Sequence, residues 1–213
     1  MSLLDLAAGL GGAGRTIARE YKAWVTGMES SALLAQMGME RSEKAGFSKQ
    51  APVQHYDPAS LTLPHRYDGI FAKEAFFSVA DKDRLFDTIA AGLKPGGQFL
   101  FTDYCIETEE ALANPRLVRW SAHEQVLPVL WPARRLASAL KARKLDVRIS
   151  EDMTHLQRRL VLRALGHLLE HLDAHTMRPN TKLAVLDEVE LWARRMGAFE
   201  AGLRVYRFYC MKH

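Results

Sequence analysis

A chain of 213 residues with 48% hydrophobic and 25% charged residues and a formal net charge of +4 has the composition of an ordinary folded domain, long enough for a sizeable core. Its 2 cysteines exclude a disulfide framework or a zinc-ligand pattern. No run approaches the ~18 apolar residues of a membrane span, and the amino terminus has no basic segment leading into an apolar one, so the expectation is a cytoplasmic protein. The arginine doublets at 134–135, 158–159 and 194–195 are dispersed, which fits solvated helix faces better than a nucleic-acid footprint.

The chain opens with an apolar strand, Leu3-Leu4-Asp5-Leu6, followed by the glycine cluster Gly9, Gly11, Gly12 and Gly14 and then by an amphipathic helix carrying Ile17, Ala18 and Tyr21. Glycine in a strand-to-helix turn permits positive φ and lets a ligand lie against the main chain. The helix that follows offers its unpaired N–H groups. Such a turn suits a nucleotide-like ligand, and Gly9, Gly11 and Gly14 also satisfy the G-x-G-x-x-G pattern of dinucleotide-binding proteins.

A second strand, residues 23–29, ends in Glu29 about twenty residues after the turn, where a doubly wound sheet places a carboxylate beside a ribose. Its two oxygens can accept from both vicinal hydroxyls; the alternative is a cap of the next helix together with Ser30 and Ser31. Residues 30–46 read as a helix and Pro52–Tyr56 as a third strand closing on Asp57-Pro58, with Asp57 either a ligand contact or a turn residue. A fourth strand runs through Phe71. A helix bearing Leu85, Phe86, Ile89 and Leu93 stops at Lys94-Pro95-Gly96-Gly97, and residues 98–104 form a fifth strand.

Three segments carry a family resemblance. Asp5-Leu6-Ala7-Ala8-Gly9-Leu10-Gly11 resembles the first motif of class I S-adenosylmethionine (SAM) dependent methyltransferases, with Ala7 where that family often has its first glycine. Residues 67–82, Tyr67-Asp68-Gly69-Ile70-Phe71-Ala72-Lys73-Glu74 onward, resemble the fourth-strand segment of small-molecule members acting on sarcosine, dimethylglycine or phosphoethanolamine, although Ser78 stands where histidine is frequent. Residues 93–103, LKPGGQFLFTD, resemble the fifth β unit. The resemblance covers residues 3–104. It implies an α/β, doubly wound sheet of seven strands in the order 3-2-1-4-5-7-6 with strand 7 antiparallel, and extra helices after strand 5 and between strands 6 and 7. Residues 1–213 then form one domain, with a SAM-binding half at 1–104 and substrate-side helices and final strands at 105–213. The implied cofactor contacts are Asp5, Ala7, Gly9, Gly11, Glu29, Ser30, Asp57 and Lys73, with Asp57 on the adenine amine.

SAM carries an electrophilic methyl, so the protein has chiefly to align a nucleophile and exclude water. Glu74 and Asp103, at the carboxyl ends of strands four and five, are the catalytic candidates, with His123 a third. Phe76, Phe77, Tyr104 and Trp120 are aromatic candidates for facing a sulfonium. The partner is a small-molecule methyl acceptor. The alternatives are an RNA methyltransferase, an NAD-dependent oxidoreductase, and a SAM-binding regulatory protein.

Beyond residue 104 the reading is coarser. Residues 107–144 are mainly helical, 145–149 a sixth strand, 155–197 two helices broken near 177–180, and 202–211 a seventh strand rich in aromatic and β-branched residues. Within them His167-Leu168-Leu169-Glu170-His171, with His175 a turn later, matches an H-x-x-E-H zinc pattern, but no further carboxylate ligand is identifiable and no metal is expected. The first strand starts near residue 3, whereas relatives carry some tens of residues before it. Either a lid has been lost or the start has been cut. Apolar surface left bare by such a segment would favour a homodimer.

Overall fold

Strand β1 (Ser2–Leu6) is the third strand from one edge of the sheet, with Leu4 and Leu6 fully buried. The protein is described here by a computed structural model covering residues 1–174 and 178–213. Helix α1 (Gly12–Tyr21), strand β2 (Trp24–Glu29), helix α2 (Ala32–Lys44), strand β3 (Val53–His55) and strand β4 (Tyr67–Lys73) follow, then helix α3 (Lys82–Gly92) and strand β5 (Leu93–Ile106). The second half adds helix α4 (Pro115–Ser121), helix α5 (Ala133–Ala142), strand β6 (Leu145–Asp152), the long helices α6 (Thr154–Ala174) and α7 (Pro179–Glu200), and strand β7 (Leu203–Lys212).

The seven strands lie in the order β3-β2-β1-β4-β5-β7-β6. Pairings from β3 through β5 are parallel, while β7 runs antiparallel to both β5 and β6. The expected sheet is therefore the one observed. Chain direction across the sheet reverses between β1 and β4, which opens a crevice at the carboxyl ends of those strands, where ligands of open α/β sheets bind. On one face of the sheet Leu4, Leu6, Ile70, Phe99, Phe101 and Phe208 pack against Phe86 and Ile89 of α3 and Leu136 and Leu140 of α5. A second cluster joins Tyr104, Trp120, Leu130, Phe199 and Val205 under α4 and α7. Cys105 and Cys210 are buried as small apolar residues in β5 and β7.

Two regions differ from the sequence reading. Lys94-Pro95-Gly96-Gly97 is not a turn ahead of a strand but an excursion inside β5: the register jumps from Tyr67 opposite Leu93 to Gly69 opposite Gln98. Gly96, at φ +73°, bends the strand out and back, so the ladder begins five residues earlier than expected. The stretch after β5 is less helical than expected. A short 3-10 turn (Glu109–Ala113) and α4 are followed by irregular chain to residue 132, because Pro128 cannot donate within a helix and Pro132 can only begin one. The anticipated break between the last two helices falls partly on residue 177, outside the described residues; α6 ends at Ala174 and α7 begins at Pro179. Among the described residues no helix is long and apolar enough to cross a membrane.

Candidate cofactor and acceptor site

The turn from β1 into α1 places Ala7, Gly9 and Gly11 in the left-handed region, at φ +65°, +54° and +72°. For glycine this conformation is inexpensive; for Ala7 the Cβ costs about 1 kcal/mol. Gly11 is required sterically, because a Cβ there would lie 2.6 Å from Val53 Cγ2. Gly9 is the opposite case. A Cβ built on it meets nothing within 4 Å, so its backbone faces open space. Gly11 is also the residue before α1, and no side chain caps that helix, which leaves its first amides available to a ligand. Arg15 Nη1 donates to Leu10 O at 2.8 Å, to Ser42 Oγ at 3.3 Å and to Gly38 O at 3.4 Å, pinning the turn to α2.

At the tip of β2 both oxygens of Glu29 are engaged. Oε2 accepts from Gly9 N at 2.8 Å, and Oε1 accepts from Ser31 N at 2.9 Å and Ser30 Oγ at 3.4 Å. The buried carboxylate thus ties the glycine turn to the start of α2, and the two readings of Glu29 meet in one side chain. Each carboxylate oxygen has two lone pairs, so Oε2 retains acceptor capacity. Asp5 is buried beside it. Desolvation, with the nearby Glu29 charge, pushes its carboxyl up to about 7. Burial first, and Glu29 second, push the Tyr56 phenol up to about 12.

Above these tips lies a cleft of about 470 Å³ whose walls include Ala7, Ser30, Tyr56, Leu61, Ala75 and Val79. Of the residues read as cofactor contacts, Ala7 and Ser30 line it directly; Asp5, Gly11 and Glu29 shape the tips from which it is built. Asp57 is exposed at its rim, between the lining residues Tyr56 and Pro58, and its Oδ2 accepts from Ser60 Oγ at 3.0 Å. Lys73 does not face this cleft. It borders a second cavity, of about 340 Å³, against α6 and α7.

Glu74 and Asp103 separate in the structure. Glu74, in the left-handed region at φ +51°, follows Lys73, which lines the second cavity, and precedes Ala75, which lines the cleft. Its carboxylate accepts from Tyr104 OH at 3.2 Å and from Gln157 Nε2 at 3.3 Å. Asp103 is fully buried, and Oδ1 accepts from Phe76 N at 3.3 Å and Phe77 N at 3.1 Å. Burial raises its carboxyl well above the usual range, opposed by the buried Lys82 ammonium. Lys82 in turn donates to Val79 O at 2.8 Å and Val129 O at 2.7 Å. Asp103 thus orders the loop after β4 and has no open face for a substrate, contrary to the catalytic placement expected from sequence.

The aromatic candidates also turn inward. Phe76 packs among Phe86, Phe99 and Phe101, and Phe77, Tyr104 and Trp120 pack on one another. Hydrophobic packing claimed these rings because Phe76 and Phe77 follow β4, Tyr104 belongs to β5 and Trp120 lies on the buried side of α4. His123 lies exposed after α4, its Nδ1 2.9 Å from Arg119 O. His167 is exposed, 3.4 Å from Glu170, and no group of three potential metal ligands occurs among the described residues; His175 lies outside them.

Sequence reasoning missed Arg15, Tyr56, Gln157 and Arg195. Arg195 forms a buried ion pair with Glu124 and lies 5.2 Å from the Tyr104 ring and 4.4 Å from the Trp192 ring. Tyr56 stood next to a residue already singled out, whereas Gln157 and Arg195 come from α6 and α7, where only helix periodicity was readable.

The fold is the one seen in solved methyltransferases. Residues 3–97 match a methyltransferase domain family. Phosphoethanolamine N-methyltransferase 1 of Zea mays is 32% identical over 104 residues, 48% of this chain and 20% of that protein. Glycine/sarcosine/dimethylglycine N-methyltransferase of Actinopolyspora halophila is 33% identical over 104 residues, 47% of this chain and 18% of that protein. The whole chain superposes on phosphoethanolamine N-methyltransferase 2 of Haemonchus contortus, solved with S-adenosyl-L-methionine, with a TM-score of 0.84 at 19% identity; the match spans 48% of that chain. The chain thus spans about half or less of the length of these relatives.

Proposed function

We propose that the chain binds SAM in the cleft over β1, β2 and β4 and transfers its methyl to a small molecule. The observation that carries this reading is the pairing of Gly9, whose backbone faces open space, with Glu29, whose Oε2 holds the Gly9 amide and keeps a lone pair for a ribose hydroxyl. The matched methyltransferase domain and the two N-methyltransferase relatives named above support it.

In this reading the ribose lies beside Glu29 and Ser30. The adenine lies between Tyr56 and the apolar Leu61 and Val79, with its amine toward Asp57. The cofactor supplies an electrophilic methyl on a sulfonium. The chain's own part is alignment and exclusion of water. Asp103 holds the loop after β4 against β5, and Lys82 ties that loop to Val129, so that Glu74 presents its carboxylate on the acceptor side. There it orients the acceptor and receives a proton if the nucleophile arrives protonated.

Isothermal titration with SAM, S-adenosylhomocysteine (SAH) and NAD tests the reading. Micromolar binding of the first two, with NAD binding weaker or absent, is expected. Preferential binding of NAD would overturn it, because the same glycine spacing serves dinucleotides.

A further inference from the structure

Between α4 and α5 the chain passes the cofactor cleft as a strap fixed at both ends. At the first end the buried Glu124 carboxylate accepts from the Trp120 indole N–H and pairs with Arg195. At the far end Val129 N donates to Phe77 O at 2.7 Å, and the buried Lys82 ammonium donates to both Val79 O and Val129 O. Between these anchors Gln125, Val126, Leu127 and Pro128 make no hydrogen bond among the described residues. A segment held only at its ends, with neither helix nor ladder along it, changes conformation at little cost.

The side chains on this span are the reverse of what a solvent-facing loop needs. Val126 is 61% exposed and Leu127 71%. Single exposed apolar side chains are ordinary, but an adjacent pair at the lip of a cleft is apolar surface without a partner. Val126 already lines the cofactor cleft with Ala75, Ser78, Val79 and Leu85, whereas Leu127 does not. The wall at Val79 belongs to the loop that Lys82 ties to Val129, so the far anchor and that wall are one body. Only the span 125–128 is left free to fold inward over the cleft.

We propose that residues 125–128 close over the cleft when the cofactor occupies it, which makes both Val126 and Leu127 part of the cofactor site. The proposal rests on the SAM-binding reading above. An empty cleft offers the two side chains only water, so the open form persists without ligand; an occupied cleft gives them a surface to pack on. Closure shields the reacting side of the cleft from water and makes cofactor release wait on the strap.

Leu127→Cys supplies one accessible thiol, since Cys105 and Cys210 are buried. Saturating SAH is expected to slow its reaction with an aromatic disulfide reagent at least tenfold. Leu127→Ser is expected to weaken SAH binding at least fivefold in titration calorimetry, while its melting temperature without SAH stays that of the parent. Because Leu127 does not line the open cleft, each effect requires the strap to move. A thiol at 127 that SAH slows less than tenfold, or a Leu127→Ser affinity within fivefold of the parent's, overturns the proposal. The parent's own SAH titration separates the two readings: a parent that binds SAH with a strap that fails either test loses closure alone, and a parent that does not bind SAH loses both.

Discussion

The crevice at β1 and β2 and the cavity between α6 and α7 are built from different materials. The first is made of backbone amides, left-handed residues and two buried carboxylates; the second is made of side chains on two helices packed over a sheet edge. A backbone site tolerates few residue types, because only glycine takes positive φ cheaply and a carboxylate, with two acceptor oxygens and no donor, is best suited to two amides at once. A side-chain cavity can be lined by any apolar residue of suitable size. The crevice is therefore the part of this molecule that resembles its relatives, and the helical cavity is where it is free to differ from them.

Substitutions at the two regions break this contrast in different ways. Asp103, which serves both by fixing the loop after β4, gives the largest effect. Asp103→Ala removes the acceptor of two buried amides and the carboxylate whose charge offsets the burial of the Lys82 ammonium, so a loss of about 3–5 kcal/mol is expected in urea unfolding. A loss below about 1 kcal/mol would mean that the loop is held by its aromatic packing instead.

Glu29→Ala affects the crevice alone. It frees the Gly9 and Ser31 amides and deletes the ribose acceptor, which is expected to weaken SAH binding by about 2–4 kcal/mol, or about 30- to 1000-fold, in calorimetry.

Asp5 contributes through pH. Its carboxyl titrates near 7 in the fold against 3.8 unfolded. A raised value means that the folded state holds the proton more tightly, so the stability linked to Asp5 is complete below about pH 4 and is lost as pH rises through 7. Asp5→Asn is therefore expected to be more stable than the parent by about 4 kcal/mol at pH 8, with the gap closing toward pH 4. Thermal unfolding across that range reads it, and a gap that widens on acidification would reverse the sign of the argument.

Ala7→Gly is the smallest change. It relieves a left-handed alanine and is expected to stabilise the chain by about 1 kcal/mol in denaturant titration. Destabilisation of similar size would show that the Ala7 methyl contributes packing on the cleft wall that outweighs its backbone strain.

The glycine turn and the final strand were legible in the sequence because their residues answer to local rules: an acid closes the apolar run before the turn, Gly11 has no room for a Cβ beside Val53, and β7 carries strand formers; the order of the seven strands came from the family resemblance. Glu29 was placed correctly at its strand tip, but its bonds to Gly9 and Ser31 depend on how two loops meet. Asp103 was misjudged for a related reason. A carboxylate at a strand end reads alike whether it faces solvent or the amides of Phe76 and Phe77, and only packing distinguishes the two. Lys73 was assigned to the cofactor by the family resemblance, whereas the cavity it borders is walled by α6 and α7, beyond the resembling segment. Gln157 and Arg195 reach the site from helices inserted after the resembling segment ends, and nothing in their spacing marks them.

The most direct measurement is hydrogen exchange of backbone amides with and without saturating SAH. The account predicts added protection in the Gly9–Gly14 turn and at Ser30–Ser31, with little change along α6 and α7. SAH that binds while protecting only α6 and α7, or that leaves the glycine turn exchanging as before, would contradict it.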